Sequence, residues 1–145
     1  MPTITTKTEN ETYKLAADLA DKLKGGEIIA LEGDLGAGKT TFTKGLAKAM
    51  GIKKHITSPT FVLMKIYPIQ NLKSEIRNLI HIDCYRLDDV QELYYLGVEE
   101  YLNKEQTIVI IEWADKIKKY LNKFKNTTWI NIKIQKKERQ FNIKQ

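Results

Sequence analysis

The sequence is poor in cysteine and in long apolar runs, and both absences restrict what the protein can be. Cys84 is the only cysteine among 145 residues, so neither an internal disulfide nor a cysteine cluster for a metal can form. We interpret it as a small core residue. No run approaches the roughly 18 apolar residues of a membrane span, and residues 1–7 lack the apolar segment of a secretory signal. We therefore expect a cytoplasmic protein with no membrane partner.

Length and composition indicate one domain, residues 1–145, with a single hydrophobic core. The net charge of +6 is uneven, because residues 116–145 hold ten Lys or Arg and one acidic residue, Glu138. This basic end either faces nucleic acid or an acidic partner, or is a solvated face that keeps the protein soluble. No helix-turn-helix, zinc-finger or RNP-type aromatic signature accompanies it.

The strongest motif is a glycine-rich stretch that matches the phosphate-loop (Walker A) pattern Gly-x-x-x-x-Gly-Lys-Ser/Thr over residues 33–40. Residues 27–32 before it are mostly apolar and predict a buried strand. Residues 41–50 after it predict a helix with one apolar stripe, which stops at Gly51. Strand, glycine-rich turn and helix form the context in which this motif binds phosphate.

The residue types of the loop suit a nucleotide. Its glycines allow positive φ angles and a close backbone approach, so that successive N–H groups surround an anion at a helix N-terminus. Lys39 supplies a point charge for the β- and γ-phosphates, and Thr40 supplies a hydroxyl for Mg²⁺. The residues predicted to bind the nucleotide here are Asp34, Leu35, Gly36, Ala37, Gly38, Lys39, Thr40 and Thr41.

Elsewhere in the chain, apolar strands alternate with helices. The sequence predicts helices over residues 8–23 and 89–96, which begin with capping boxes at Thr8 and Asp89, and a helix over 115–121. It predicts strands over 61–67, 79–83 and 107–112, a turn over 68–74, and a closing hairpin of strands 129–134 and 139–143. Continuous apolar strands interleaved with helices indicate an α/β fold of the P-loop NTPase kind. We expect a mainly parallel central sheet flanked by helices, with a C-terminal antiparallel hairpin.

Two of the predicted strands end in a carboxylate, at the edge where parallel sheets bind ligands. Glu112 follows four apolar residues and best fits the second-strand carboxylate that holds Mg²⁺ in phosphate-loop proteins. Asp83 also fits, so one of the two could hold the metal while the other orients water or supplies a second ligand. Either carboxylate could instead only cap the segment that follows its strand.

Thr57, Ser58 and Thr60 form a polar loop that has two interpretations. A hydroxyl of this loop could sense the γ-phosphate, as a switch loop does. The alternative is a plain Ser-Pro turn.

Three more residues near these motifs have open roles. His81 lies inside a predicted strand, which favours a structural role over that of a base. Arg86 could reach phosphate or a partner, or form a surface ion pair. Trp113 could stack on a ligand or fill the core.

We favour ATP over GTP, because guanine-specific enzymes usually carry Asn-Lys-x-Asp and residues 103–106 read Asn-Lys-Glu-Gln. A free-standing P-loop kinase of a small metabolite is the alternative function. It needs an acceptor pocket and usually an arginine-rich lid, and the chain has only Arg77, Arg86 and Arg139. A nucleic-acid-binding module that uses the basic end is a third hypothesis, but it leaves the phosphate loop unexplained.

Together, these motifs resemble those of the TsaE (YjeE) family. The resemblance runs from about residue 8 to residue 134, with modest single motifs that form a specific set in this order and spacing. They are residues 33–41, Ser58-Pro59-Thr60-Phe61, residues 81–87 (His-Ile-Asp-Cys-Tyr-Arg-Leu), Leu96-Gly97-Val98 and Glu112-Trp113. That family is the small bacterial ATPase needed to form threonylcarbamoyladenosine on tRNA beside the anticodon.

The resemblance implies a P-loop ATPase with ATP or ADP and Mg²⁺ as cofactors. In such proteins Thr40 and Glu112 would hold the metal, Asp83 would lie near it and be needed for hydrolysis with Lys39, and the segment around Thr8 would lie near adenine. The family acts on the TsaB–TsaD complex, which ATP turnover resets between rounds. We therefore expect slow hydrolysis by the isolated protein, stimulation by that complex, and contact with tRNA only indirectly or through the complex.

This chain departs from the family pattern at two places. Cys84 stands where relatives often carry an apolar residue. Residues 69–77 are long and polar for a connection between strands.

Overall fold

A computed structural model describes residues 3–70 and 74–145, and they fold around one seven-stranded sheet. The strands are β1 (Thr3–Thr6), β2 (Ile28–Glu32), β3 (Met64–Pro68), β4 (Asn78–Asp83), β5 (Thr107–Glu112), β6 (Thr127–Gln135) and β7 (Glu138–Lys144). The helices are α1 (Glu9–Ala20), α2 (Lys39–Ala49), α3 (Gln91–Tyr95) and α4 (Lys118–Leu121), with 3-10 helices at Val98–Glu100 and Ala114–Ile117. No helix in the described ranges has the length and apolar character needed to cross a membrane.

The strand order is β1-β7-β6-β2-β5-β4-β3, with a parallel centre. Strands β6, β2, β5 and β4 run parallel to one another. Strands β7 and β1 extend one side and β3 extends the other, all by antiparallel pairing. The predicted α/β fold with a parallel centre and a β6–β7 hairpin is thus confirmed, and antiparallel strands extend the sheet at both sides.

Both faces of the sheet are covered, which explains why the central strands are apolar without alternation. In β2, Ile29 and Leu31 join the core beneath α1 and α2. Ile28 and Ala30 join a second core beneath α3 and α4. All four side chains are buried, so successive residues of one strand are held by different layers of helices.

The start of α1 follows the predicted capping pattern. Thr8 is the N-cap, and its Oγ1 accepts a hydrogen bond from the Glu11 N–H at 3.1 Å. The Glu11 side chain in turn accepts from the Lys7 N–H at 2.8 Å. The helix ends at Ala20, earlier than the predicted end at residue 23.

Strand β1 has no counterpart among the sequence predictions. Its four residues are too few to show a periodic pattern. It forms by antiparallel pairing with β7, in which Thr6 lies opposite Arg139. The start of the chain therefore lies beside its end, close to the first turn of α1.

The predicted strand over residues 61–67 is wrong in its first half. The Leu63 N–H donates to the Pro59 carbonyl, and Leu63 has a left-handed φ of 67°. This turn delays the start of β3 to Met64 and leaves Phe61 83% exposed.

The N-cap of α3 lies one residue after the predicted Asp89. Asp89 accepts from the Gln91 N–H at 3.0 Å, and the helix begins at Gln91 with Val90 as its N-cap. Within the turn predicted over residues 68–74, residues 71–73 lie outside the described part of the chain.

Candidate functional site

The phosphate loop joins the end of β2 to the start of α2. Gly36 and Gly38 have φ angles of 80° and 111°, and Gly38 is the N-cap of α2. A Cβ at Gly33 would lie 2.5 Å from the carbonyl oxygen of Ile132, so strand β6 leaves no space for a side chain there. The loop thus passes tightly over the sheet and brings its backbone to a helix N-terminus, which favours anions.

Lys39 begins α2 and folds back over the loop. Its Nζ donates to the carbonyl oxygens of Gly33 and, at 2.9 Å, Asp34, and it lies 4.0 Å from the centroid of the Trp113 ring. The side chain is only 5% exposed, and this burial lowers the pKa of Lys39, while the carboxylates around it, Glu112 first, raise it. A desolvated ammonium of this kind is stabilised by an anionic ligand.

Thr40 and Glu112 meet at the floor of the site. The Thr40 hydroxyl donates to Oε1 of Glu112 at 2.8 Å. An octahedral Mg²⁺ binds oxygens at about 2.0–2.1 Å, which places neighbouring ligand oxygens about 2.9 Å apart. The two oxygens therefore have the spacing of adjacent Mg²⁺ ligands. Among the described residues no group of three or more His, Cys, Asp or Glu could hold a metal alone, so a Mg²⁺ here would need phosphate and water ligands.

His81 contacts the other oxygen of Glu112. Its Nε2 lies 2.6 Å from Oε2, and both side chains are buried. An ionised carboxylate only accepts hydrogen bonds, so in this contact Nε2 is assigned as the donor. Nδ1 has no hydrogen-bond partner among the described residues.

Asp83 lies at the end of β4 and is held on two sides. Its Oδ2 accepts from the hydroxyls of Ser58 and Thr60, the latter at 3.0 Å. Its Oδ1 accepts from the Tyr85 N–H at 2.9 Å. Asp83 therefore caps the segment after β4 and also ties the polar loop to the site. Thr57, the third hydroxyl of that loop, instead accepts from a lysine of β3.

One open cleft of about 490 Å³ connects these groups. The phosphate loop, Asp83 and Glu112 form its polar side. Its other side is aromatic: the Tyr85 and Trp113 rings lie 5.0 Å apart, and the Arg86 guanidinium lies 4.6 Å from the Phe61 ring. Trp113 thus lines the cleft, and Arg86 stacks on an exposed ring at its rim.

A second cavity of about 340 Å³ adjoins the phosphate loop and shares Gly36, Gly38 and Thr41 with the first. It lies against the start of α1, where Thr8 contributes to its wall. The hairpin closes its far side with Lys137 and Arg139. A Cβ at Gly38 would lie 3.9 Å from Nε of Arg139, so the guanidinium lies directly against the loop.

The structure brings most predicted residues to these two cavities. Lys39, Thr40, Asp83 and Glu112 share the first cavity, and Thr8 lines the second. Asp34 and Ala37 belong to the loop but line neither cavity; Ala37 is buried beneath the loop.

Lys137 and Arg139 had no sequence signal as site residues. Their only indication was membership of the basic end. The pairing of β6 with both β2 and β7 brings the hairpin that carries them to the loop.

The family model described as "Threonylcarbamoyl adenosine biosynthesis protein TsaE" matches residues 6–142 of this chain. Curated relatives with the name "tRNA threonylcarbamoyladenosine biosynthesis protein TsaE" include one from Bacillus subtilis, 42% identical over 111 residues, and one from Aquifex aeolicus, 42% identical over 114 residues. Each match spans 77% of this chain, but 65% of the Bacillus relative and 76% of the Aquifex relative.

A solved structure supports the same comparison. The crystal structure of Bacillus subtilis YdiB is similar to this chain with a TM-score of 0.68 and 30% sequence identity. The match covers 97% of this chain and 82% of that structure. The similarity therefore includes the sheet, the phosphate loop and the closing hairpin.

Proposed function

This chain belongs to the TsaE family, and we propose that it is a Mg²⁺-dependent ATPase that serves threonylcarbamoyladenosine modification of tRNA by acting on the TsaB–TsaD complex. The names of its relatives support the pathway. The observation that carries the proposed chemistry is the single cleft in which Lys39, Thr40, Asp83 and Glu112 meet.

The polypeptide itself supplies binding and orientation. Backbone N–H groups at the start of α2 and the Lys39 ammonium bind the phosphates of ATP or ADP. Thr40 and Glu112 would hold Mg²⁺, which neutralises charge on the transferred phosphoryl group when it is bound. Asp83, fixed by Ser58 and Thr60, accepts a hydrogen bond from the attacking water and orients it.

Lys39 has to change partners when a nucleotide binds. Its Nζ is occupied by the carbonyls of Gly33 and Asp34, which are weaker partners than phosphate. Exchange of these bonds for charge-assisted bonds couples nucleotide binding to the shape of the loop.

The rim of the cleft favours a protein partner over a small acceptor. Leu35, Phe61 and Tyr85 are large apolar side chains at this rim and are exposed to solvent. Exposed apolar groups around a polar site are typical of a surface that another protein covers. Because the loop at Ser58 and Thr60 is bonded to Asp83, a partner on this rim would sense the state of the site.

The proposal is tested by ATP hydrolysis measured with the chain alone and with TsaB plus TsaD. We expect slow turnover alone and clear stimulation by the complex, since part of the site arrives in trans. Arg86→Ala should lower the stimulated rate more than it lowers nucleotide affinity. Full activity toward a small-molecule acceptor, with no effect of TsaB–TsaD, would favour the metabolite kinase.

A further inference from the structure

Glu112 is held through both of its carboxylate oxygens. Oε1 accepts from Thr40 at 2.8 Å and Oε2 lies 2.6 Å from Nε2 of His81. The three side chains form a continuous chain from the phosphate-loop helix α2, through β5, to β4. His81 is fully buried and Glu112 is 2% exposed, so water has little access to the bond between these two side chains.

The register of β4 with β5 determines the position of the His81 side chain relative to Glu112. His81 lies opposite Ile110 in the parallel pairing of β4 with β5, two residues before Glu112 on the same side of β5. Both neighbours of His81 along β4, Ile80 and Ile82, point to the opposite core. The imidazole is therefore attached to a paired strand of the sheet, and Glu112 is its one polar neighbour at hydrogen-bond distance in the described structure.

The unpartnered Nδ1 indicates that core packing alone does not explain a histidine at position 81. A buried nitrogen without a hydrogen bond is unfavourable, and an apolar side chain at position 81 would avoid it. The hydrogen bond to Glu112 is the one polar contact that the described structure gives to this ring.

On the basis of the proposed function, we propose that His81 is a positioning residue for the metal-binding carboxylate. By donating from Nε2 to Oε2, it restricts rotation of the Glu112 carboxylate and leaves Oε1 directed at Thr40 and at Mg²⁺. It touches neither nucleotide nor metal, because it does not line the cleft. Partners of this kind around metal ligands typically change metal affinity by about 10- to 100-fold.

The test compares ADP affinity by calorimetry in Mg²⁺ and in EDTA, for the unmodified chain and for variants at position 81. In His81→Leu we expect the gain in affinity that Mg²⁺ provides to fall by about 10-fold or more, while affinity in EDTA stays unchanged. His81→Gln, whose amide can donate in place of Nε2, should retain most of the gain. His81→Asn is too short to reach Oε2 and should lose it, and this polar variant serves if His81→Leu does not fold.

Mn²⁺ bound with ADP and measured by electron paramagnetic resonance gives a second readout, in which the same order of variants is expected. Ile80→Val is the matched control, because it changes the neighbouring buried residue on the other face of β4. An unchanged Mg²⁺ gain in both His81→Leu and His81→Asn, or an equal loss in EDTA, would overturn the positioning role. No ADP binding by the unmodified chain would instead overturn the proposed function, and this inference with it.

Discussion

Asp83 and Glu112 are direct partners in the parallel pairing of β4 with β5, yet their carboxylates are bound by different parts of the chain. Neighbouring strands lie about 4.8 Å apart, so the side chains of Asp83 and Glu112 lie close together at the edge of the sheet. Glu112 is tied to α2 through Thr40. Asp83 is tied to the polar loop through Ser58 and Thr60. This division predicts separable roles for the two acids.

Substitution should separate the two carboxylates by their effects. Glu112→Ala removes the proposed metal ligand and is expected to weaken nucleotide binding only when Mg²⁺ is present. Asp83→Asn keeps the size of the side chain, and its amide can accept from the Tyr85 N–H while donating to the Ser58 and Thr60 hydroxyls. It should therefore leave binding intact and lower stimulated turnover by about 10²-fold or more. Calorimetry with and without Mg²⁺, followed by hydrolysis assays with TsaB and TsaD, measures both effects.

Asp89→Asn is a suitable control for this pair, because Asp89 is an exposed acid whose side chain, among the described residues, accepts only from the Gln91 N–H at the start of α3. It should change neither quantity. Normal turnover of Asp83→Asn would reduce Asp83 to a cap of the Tyr85 N–H.

Lys39 is expected to matter for the ligand and not for the fold. Burial lowers its pKa below 10.5, so the charged ammonium destabilises the folded state near neutral pH. That penalty disappears as pH rises from the folded-state pKa to 10.5. Lys39→Met removes this penalty but also removes the hydrogen bonds to Gly33 and Asp34, so it should melt near the temperature of the unmodified chain when no nucleotide is present.

The ligand-induced shift in melting temperature is the measurement for Lys39. At 100 times its dissociation constant a ligand adds about 2.7 kcal/mol to the free energy of unfolding. Mg-ADP should produce this shift in the unmodified chain, GDP should produce a smaller one, and Lys39→Met should lose most of it. Equal shifts with ADP and GDP would contradict the preference for adenine.

Cys84 should be chemically silent in the native state. It is fully buried, and burial, aided by Asp83, raises the pKa of its thiol to about 12. At pH 8 only about one thiol in 10⁴ is then the reactive thiolate. We expect a thiol reagent to label no cysteine in the native chain and one cysteine in denaturant, with Cys84→Ala as the unlabelled control. Fast native labelling would show that the end of β4 opens locally.

The part of the fold that could be predicted is the part with local signals. Strand β5 matches its prediction of residues 107–112, because four consecutive apolar residues, three of them isoleucine, lie between Thr107 and Glu112 and strongly favour a buried strand. The Thr8 cap was predictable because capping depends on residues within one turn. Phe61, in contrast, has a strand-forming side chain, but the turn that ends at Leu63 keeps it out of β3. Tertiary context decided that boundary.

The same distinction applies to the candidate site. Lys39 and Thr40 lie in a contiguous motif, and Glu112 and Asp83 end apolar strands, so all four were predictable. The contact of His81 with Glu112 depends on which strands are neighbours, and sequence spacing does not contain that information. Arg139 could not be predicted for the same reason, since β6 pairs with β2 on one side and β7 on the other, and this order places Arg139 at the phosphate loop.

Arg139 gives the last prediction, which concerns the basic end of the chain. Two charges of the basic end lie in different surroundings. Arg139 is half-buried against Gly38. Lys144 is exposed and lies five residues further along β7, which is about 17 Å in an extended strand. We expect Arg139→Ala to weaken ADP binding by about 10-fold, the loss of about 1.4 kcal/mol. Lys144→Ala removes the same charge from the same strand and should change affinity less than about 2-fold, because screening acts within about 8 Å at physiological salt.

ADP affinity measured by calorimetry at two salt concentrations distinguishes a direct contact of Arg139 with the nucleotide site from a general electrostatic effect of the basic end. A contact at the phosphate loop predicts that the Arg139→Ala effect persists at high salt, since a partly buried charge is screened little. If both variants weakened binding equally and only at low salt, the basic end would act on the nucleotide through its overall charge. If neither variant had an effect, Arg139 would belong to a solvated face, which is one of the two interpretations of the basic end, and its contact with the second cavity would contribute nothing to ADP binding.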